Sequence, residues 1–210
     1  NFTNNGTFNC NDRAVFFDGN AIDQSQTISG DAGLTIDYMF VQTTGDVFLD
    51  TTLTIVEELD LTSTTGDYHV ILNDNELTIE STGEILNAGD GSYVVTNSTG
   101  SLLQQSIGLS GTRGSSIEFP IGPSTSVYAP ITVTSDNVSG SDDDFALRVC
   151  DDVRTDGTCT GGSPITAFGV DLTWQLTSSS NLTTSGLTYD LTIEWPSSEH
   201  LSGFNTGSVA

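Results

Sequence analysis

Lysine is absent from this chain of 210 residues. Its only cations are Arg13, Arg113, Arg148 and Arg154, set against 28 acidic side chains, for a formal net charge of −24 at pH 7. A chain with no basic face cannot neutralise phosphates, which excludes nucleic acid and anionic membrane surfaces as partners. The partners left are salt, divalent cations and uncharged molecules such as glycans. Long apolar runs are missing too. Residues 38–41 form about the longest, far short of the roughly 18 that a membrane helix needs, so no membrane insertion is expected. Helical periodicity is nearly absent; only Val56-Glu57-Glu58-Leu59 could start a turn, and Asp60-Leu61-Thr62 argues for strand. None of the five prolines precedes Pro120. No leader-like stretch is present, and the chain reads as a mature or excised segment.

What is there instead is threonine, serine, asparagine and 22 glycines, a composition for short strands and tight turns. One phrase recurs: Leu34-Thr35-Ile36, Leu53-Thr54-Ile55, Leu77-Thr78-Ile79, with Leu59-Asp60-Leu61 between the last two. Two aliphatics flank a polar residue, the period-2 pattern of a strand with one buried face. Copies start about 19 and about 24 residues apart, spacings that signal stacked coils. No copy can bury its face alone. The pattern predicts that Leu34, Ile36, Leu53, Ile55, Leu77 and Ile79 form one continuous buried ladder.

Phe2 and Phe8 bracket an Asn5-Gly6 turn, and aromatics so early in a repeat array are expected to plug the end of its core. Further strands are expected at 68–72 and 92–96. The texture then changes: prolines begin, and longer strands are expected at 128–134, 145–150, 170–177 and 187–195. Clean alternation in the last of these suits half-buried antiparallel strands. The expected fold is therefore all-β, with a short parallel β-helix or solenoid over 1–103 and an antiparallel β-sandwich-like domain over 104–210.

Of the three cysteines, Cys150 and Cys159 enclose a turn at Asp156-Gly157, so a hairpin would bring them into disulfide range. Cys10 is left as a small buried hydrophobe.

The run Ser92-Tyr93-Val94-Val95-Thr96-Asn97, then Phe119-Pro120-Ile121-Gly122 and Tyr128-Ala129-Pro130-Ile131-Thr132-Val133, resembles large secreted surface proteins of the Bacteroidota. Phe145-Ala146-Leu147-Arg148-Val149, Val170-Asp171-Leu172-Thr173-Trp174 and Leu191-Thr192-Ile193-Glu194-Trp195 continue the likeness over nearly the whole chain. The resemblance implies a β-helical repeat region followed by a β-sandwich-like segment, export by type IX secretion, and a role in adhesion or gliding. Its motifs belong to the scaffold and carry no catalytic residues.

Catalysis finds little support. Asp142-Asp143-Asp144 follows Ser139-Gly140-Ser141 and reads as a solvated turn; His69 and His200 lie far apart in sequence, outside metal-ligand spacing. No serine has the glycine flanks of a nucleophile elbow, and without lysine there is little to stabilise developing negative charge. No cofactor is expected, with calcium the one candidate ion: Asp151, Asp152 and Asp156 surround the expected hairpin and offer hard oxygen ligands. Sequons occur at Asn1, Asn5, Asn97, Asn137 and Asn181, and Asp50-Thr51-Thr52 resembles a short O-glycosylation motif of the same bacterial lineage. Trp174 and Trp195 are expected in the core.

The expected function is a non-catalytic extracellular or cell-surface structural or adhesive module, part of a larger protein or the subunit of a filament. Its partners would be itself, or neighbouring domains of the same chain, at both ends. The competing expectation is a carbohydrate-binding accessory module of a secreted enzyme, which would show an exposed aromatic platform.

Overall fold

The three Leu-Thr-Ile phrases stack. In the computed structural model, which describes residues 1–18, 25–31, 33–42, 45–62, 66–96, 98–107, 115–135, 142–179 and 188–205, Leu34 lies opposite Leu53 and Leu53 opposite Leu77. Ile36, Ile55 and Ile79 line up in the same way. All six are buried. The strands that carry them, β4 (Leu34–Val41), β6 (Leu53–Asp60) and β8 (Glu76–Ile79), are parallel neighbours in one sheet. A fourth rung that breaks the phrase follows on β11 (Ser101–Ile107), where Leu102 pairs Leu77 and a buried Gln104 pairs Ile79.

Between these strands the chain crosses repeatedly to a second parallel sheet. Its order is β1 (Phe2–Asn4), β3 (Gln26–Gly30), β5 (Val47–Leu49), β7 (Tyr68–Ile71), β10 (Ser92–Val95) and β13 (Ile121–Gly122). Alternation between two parallel sheets along the sequence makes a β-solenoid of about four turns. Ile28, Leu49, Val70, Val94 and Ile121 supply the facing half of its core. A bulge in the pairing of β4 and β6 falls after Ile36 and Ile55. Beyond it the coils carry another stack, in which β2 (Ala14–Phe17), the ends of β4 and β6, and β9 (Glu84–Leu86) lie side by side. Val15, Met39, Leu59 and Ile85 form one inward column of this stack.

Polar side chains secure the corners from one coil to the next. The Asn75 amide donates to the Leu49 carbonyl at 2.8 Å, and the Asn87 amide donates to Asp60 Oδ1 at 2.8 Å. Asn73 and Asn87 both adopt positive φ, which asparagine tolerates better than most residues.

After β11 the pairing changes sense. β15 (Asp143–Asp151) joins β11 antiparallel, and β16 (Leu172–Ser178) joins β15 antiparallel. A separate antiparallel sheet contains β12 (Ser116–Phe119), β14 (Ile131–Ser135) and β17 (Tyr189–Ile193). Phe119, Ile131, Val133, Phe145, Leu147 and Val149 belong to the same buried cluster as the ladder. The 92–96 segment is covered on both faces, because Tyr93 and Val95 meet Ile71, Phe48 and Tyr128 outside the solenoid. Gly122 permits this: a Cβ there would stand 2.5 Å from the Tyr93 ring and 2.1 Å from the Val127 carbonyl oxygen.

Two local expectations differ from what is found. Asp143 is buried within β15 rather than solvated, its carboxylate accepting from the Asp144 N–H and the Ser179 hydroxyl. The two hydrogen bonds to Oδ1 offset part of the penalty that a bare buried carboxylate would carry. Leu191 pairs with Val133 yet is 45% exposed. It lies on the outer strand of a three-stranded sheet, where no further strand pairs with it among the described residues.

Candidate functional site

The aspartates singled out around the hairpin have separate partners. Cys150 and Cys159 are joined in a disulfide with their Cα atoms 5.6 Å apart. Asp152 Oδ2 accepts from Arg154 Nη2 at 2.8 Å, while Asp156 Oδ1 accepts from the Thr158 N–H at 3.1 Å and its hydroxyl at 3.0 Å. Burial, then the neighbouring Asp152 and Asp171 charges, push the Asp151 carboxyl above its ordinary value. Among the described residues no group of three or more His, Cys, Asp or Glu side chains is placed to hold a metal ion. Asn97, Asn137, Asn181 and Arg113 lie outside the described residues.

The two histidines are each engaged separately. Asp46 Oδ1 accepts from the His69 backbone N–H at 2.9 Å and lies 3.0 Å from its Nδ1. The His69 ring stands edge-on to Tyr93, whose hydroxyl donates to the Ser124 carbonyl at 2.7 Å. His69 Nε2, which in an Asp–His dyad would face a nucleophile, is buried without a hydrogen-bond partner. His200 Nε2 accepts from Trp195 Nε1 at 3.1 Å, and its ring lies tilted against Phe204, the centroids 4.7 Å apart. Trp174 is half-buried beside Trp195 and donates to the Ala129 carbonyl at 3.1 Å. Next to this aromatic group Phe168 is 80% exposed with φ of 65°, its ring lying over Gly203. A bulky residue held in the left-handed region costs roughly 1–2 kcal/mol.

Several strands have an unpaired edge among the described residues, and those that end the coils stand out. At the N-terminal end, β1 pairs only β3 and β2 pairs only β4. The coil interior there is plugged, as expected, by Phe2 and Phe8 packed against the core, and Cys10 is buried in the same cluster. The strand edges outside that plug stay open, and Phe16, 58% exposed, stacks on Phe40 at 5.0 Å across the outer face. At the other end β16 pairs only β15. Two antiparallel steps from β11 leave it running in the same direction as the coil strands.

A cleft of about 450 Å³ opens between β9 and β12, lined by Glu84, Ile85, Asn87, Gln104, Ser116 and Glu118 among others. Gln104 Nε2 donates to the Glu118 carbonyl at 2.8 Å, and Tyr128 donates to Glu118 Oε1 at 2.7 Å. Below the cleft Glu58 lies directly opposite Glu84 on neighbouring strands. Burial, then the Asp60 and Glu84 charges, raise the Glu58 carboxyl above its usual value. Sequence reasoning did not find this cleft. Its walls come from residues some thirty positions apart that share no motif, and only the register of the coils brings them together. Known protein families, curated proteins and solved structures offer no match to this chain.

Proposed function

We propose that this chain is a non-catalytic extracellular structural or adhesive module, whose coil edge accepts a further coil from a longer chain or from another copy. One observation carries the reading: β1 and β2 end both parallel sheets with unpaired edges, and the Phe16–Phe40 stack runs out through that end. Unpaired backbone beside an exposed aromatic is a template for strand addition. β16 runs in the coil direction at the far end, so a head-to-tail contact would continue the parallel pairing. A head-to-tail contact that does not close builds a filament. The acidic, lysine-free surface and the Cys150–Cys159 disulfide support an oxidising, extracellular setting. Sequence likeness to Bacteroidota surface proteins supports adhesion and type IX export. We also take the C-terminal half to be sandwich-like, with β11, β15 and β16 as one layer and β12, β14 and β17 as the other, a reading supported by their separate antiparallel pairings.

Light scattering across a dilution series tests the association, with Phe16→Asp as the control. The expected result is concentration-dependent mass that Phe16→Asp abolishes. A monomer at every concentration, or association indifferent to Phe16, overturns it.

A second reading rests on the aromatic group Trp174, Trp195, His200 and Phe204 beside exposed Phe168. Aromatic faces with an adjacent hydrogen-bonding rim suit glycan, which would make the chain a carbohydrate-binding accessory module of a secreted enzyme. Glycan binding lost on Phe168→Ala, with association unchanged, would favour it.

A further inference from the structure

Among the described residues, the stack beyond the coil bulge stops one rung early. Its strands are β2, the ends of β4 and β6, and β9; the next coil should add another, but β11 leaves the solenoid after Gln104. A register shift between Gln104 and Ile107 turns β11 toward β15, with Ser106 at φ of 54°. The cleft over β9 occupies the place of the missing rung.

Among the described residues, both walls of that cleft are strand edges. The Leu86 carbonyl accepts from the Leu61 N–H at 3.0 Å and so faces β6. Successive peptide groups alternate sides, so the N–H and C=O of Ile85 face away from β6, into the cleft. On the opposite wall Ser135 N–H donates to the Ser115 carbonyl, which sets the phase of the β12–β14 ladder. Ser116 and Glu118 fall on the alternate positions, so their N–H and C=O groups point outward. Gln104 already meets the Glu118 carbonyl, a side-chain amide standing where a strand's N–H would be.

We propose that this cleft is a strand-addition site for an extended, basic peptide of a partner protein. Main-chain hydrogen bonds to Ile85, Ser116 and Glu118 would supply the pairing, and side chains would set specificity. Glu84 and Glu118 line the cleft, with Glu58 and Asp60 below, so the complementary side chains are lysine and arginine. A second copy is a poor occupant, because the chain has no lysine and four arginines in all. Glycan is disfavoured by the lining, which contains no aromatic ring among the described residues. The proposal is independent of coil-end association, which uses β1, β2 and β16.

The test uses amide NMR of the whole chain titrated with a capped peptide of about eight residues alternating Lys and Val, long enough to span the cleft as a strand. Controls are the same peptide N-methylated on alternate amides, a Glu/Val peptide, and cellohexaose. The Lys/Val peptide should saturate, shifting the amides of Ile85, Ser116 and Glu118, and N-methylation should weaken it about tenfold or more. Ser116→Pro removes an outward N–H while leaving the β14 pairing intact, and should weaken binding similarly with the melting temperature unchanged. Glu118→Gln leaves the backbone alone and should weaken binding and flatten its salt dependence. It decides the matter should Ser116→Pro fail to fold. Equal binding of the N-methylated peptide, shifts centred elsewhere, or no saturation at millimolar peptide would overturn the proposal. Response to cellohexaose alone would assign the cleft to glycan instead.

Discussion

Truncating the middle rung of the ladder should be costly, and truncating its outward neighbour should not. Leu53 is 1% exposed and lies between Leu34 and Leu77 in the same column. Leu→Ala substitutions in cores cost about 2–5 kcal/mol, rising with the cavity that is left. Here strand hydrogen bonding on both sides holds the neighbouring rungs apart, so the void cannot collapse, and Leu53→Ala should fall near the middle or top of that range, about 3–4 kcal/mol. For a chain of this size each kcal/mol lowers the melting temperature by about 2–4 °C, giving a drop of about 6–16 °C. Thr54 is only partly buried and its column is Thr35, Thr54 and Thr78. Thr54→Ala should stay within about 0.5 kcal/mol. Paired thermal and urea unfolding, with unchanged m-values, is the assay. Equal effects of the two substitutions would refute the ladder as the core of the fold.

Three further outcomes follow from the same geometry. Replacing both Cys150 and Cys159 with alanine should cost about 2–3 kcal/mol from the loop-closure entropy of a short loop; two free thiols in unreduced wild-type protein would remove the premise. Glu58 has a folded-state carboxyl raised above its unfolded value, so folding favours its protonated form, and the penalty is complete at neutral pH. Glu58→Gln should therefore stabilise by about 0.5 kcal/mol at pH 7, since the site is partly solvated. The gain should vanish as pH falls below the usual carboxylate range and shrink in salt; an equal gain at pH 3 would contradict it. Salt should raise the melting temperature by screening the net charge of −24. With Asp152 tied to Arg154 and Asp156 to Thr158, calcium and sodium chloride curves at matched ionic strength should coincide, and a separation would reveal a specific ion.

The ladder was legible because its period-2 phrase repeats at the coil spacing itself: Leu34 meets Leu53 and Leu53 meets Leu77. The disulfide was legible from a short loop with a turn at its centre. The continuation to Leu102 and Gln104 was hidden, since a glutamine in an aliphatic column looks like the end of the column. In the structure that amide is held by the Glu118 carbonyl, a partner that local sequence cannot reveal. Asp143 was misjudged for the same reason: burial follows from Ser179 and from the pairing with β11, both distant in sequence. Long-range register also makes the cleft and the Asp46–His69 pair.

Electron microscopy of the concentrated chain, beside Phe16→Asp prepared in the same way, tests the coil-edge account most directly. The account predicts end-to-end rows of particles for the wild type and single particles for the variant. Discrete wild-type particles, indistinguishable from those of Phe16→Asp at every concentration, would contradict it.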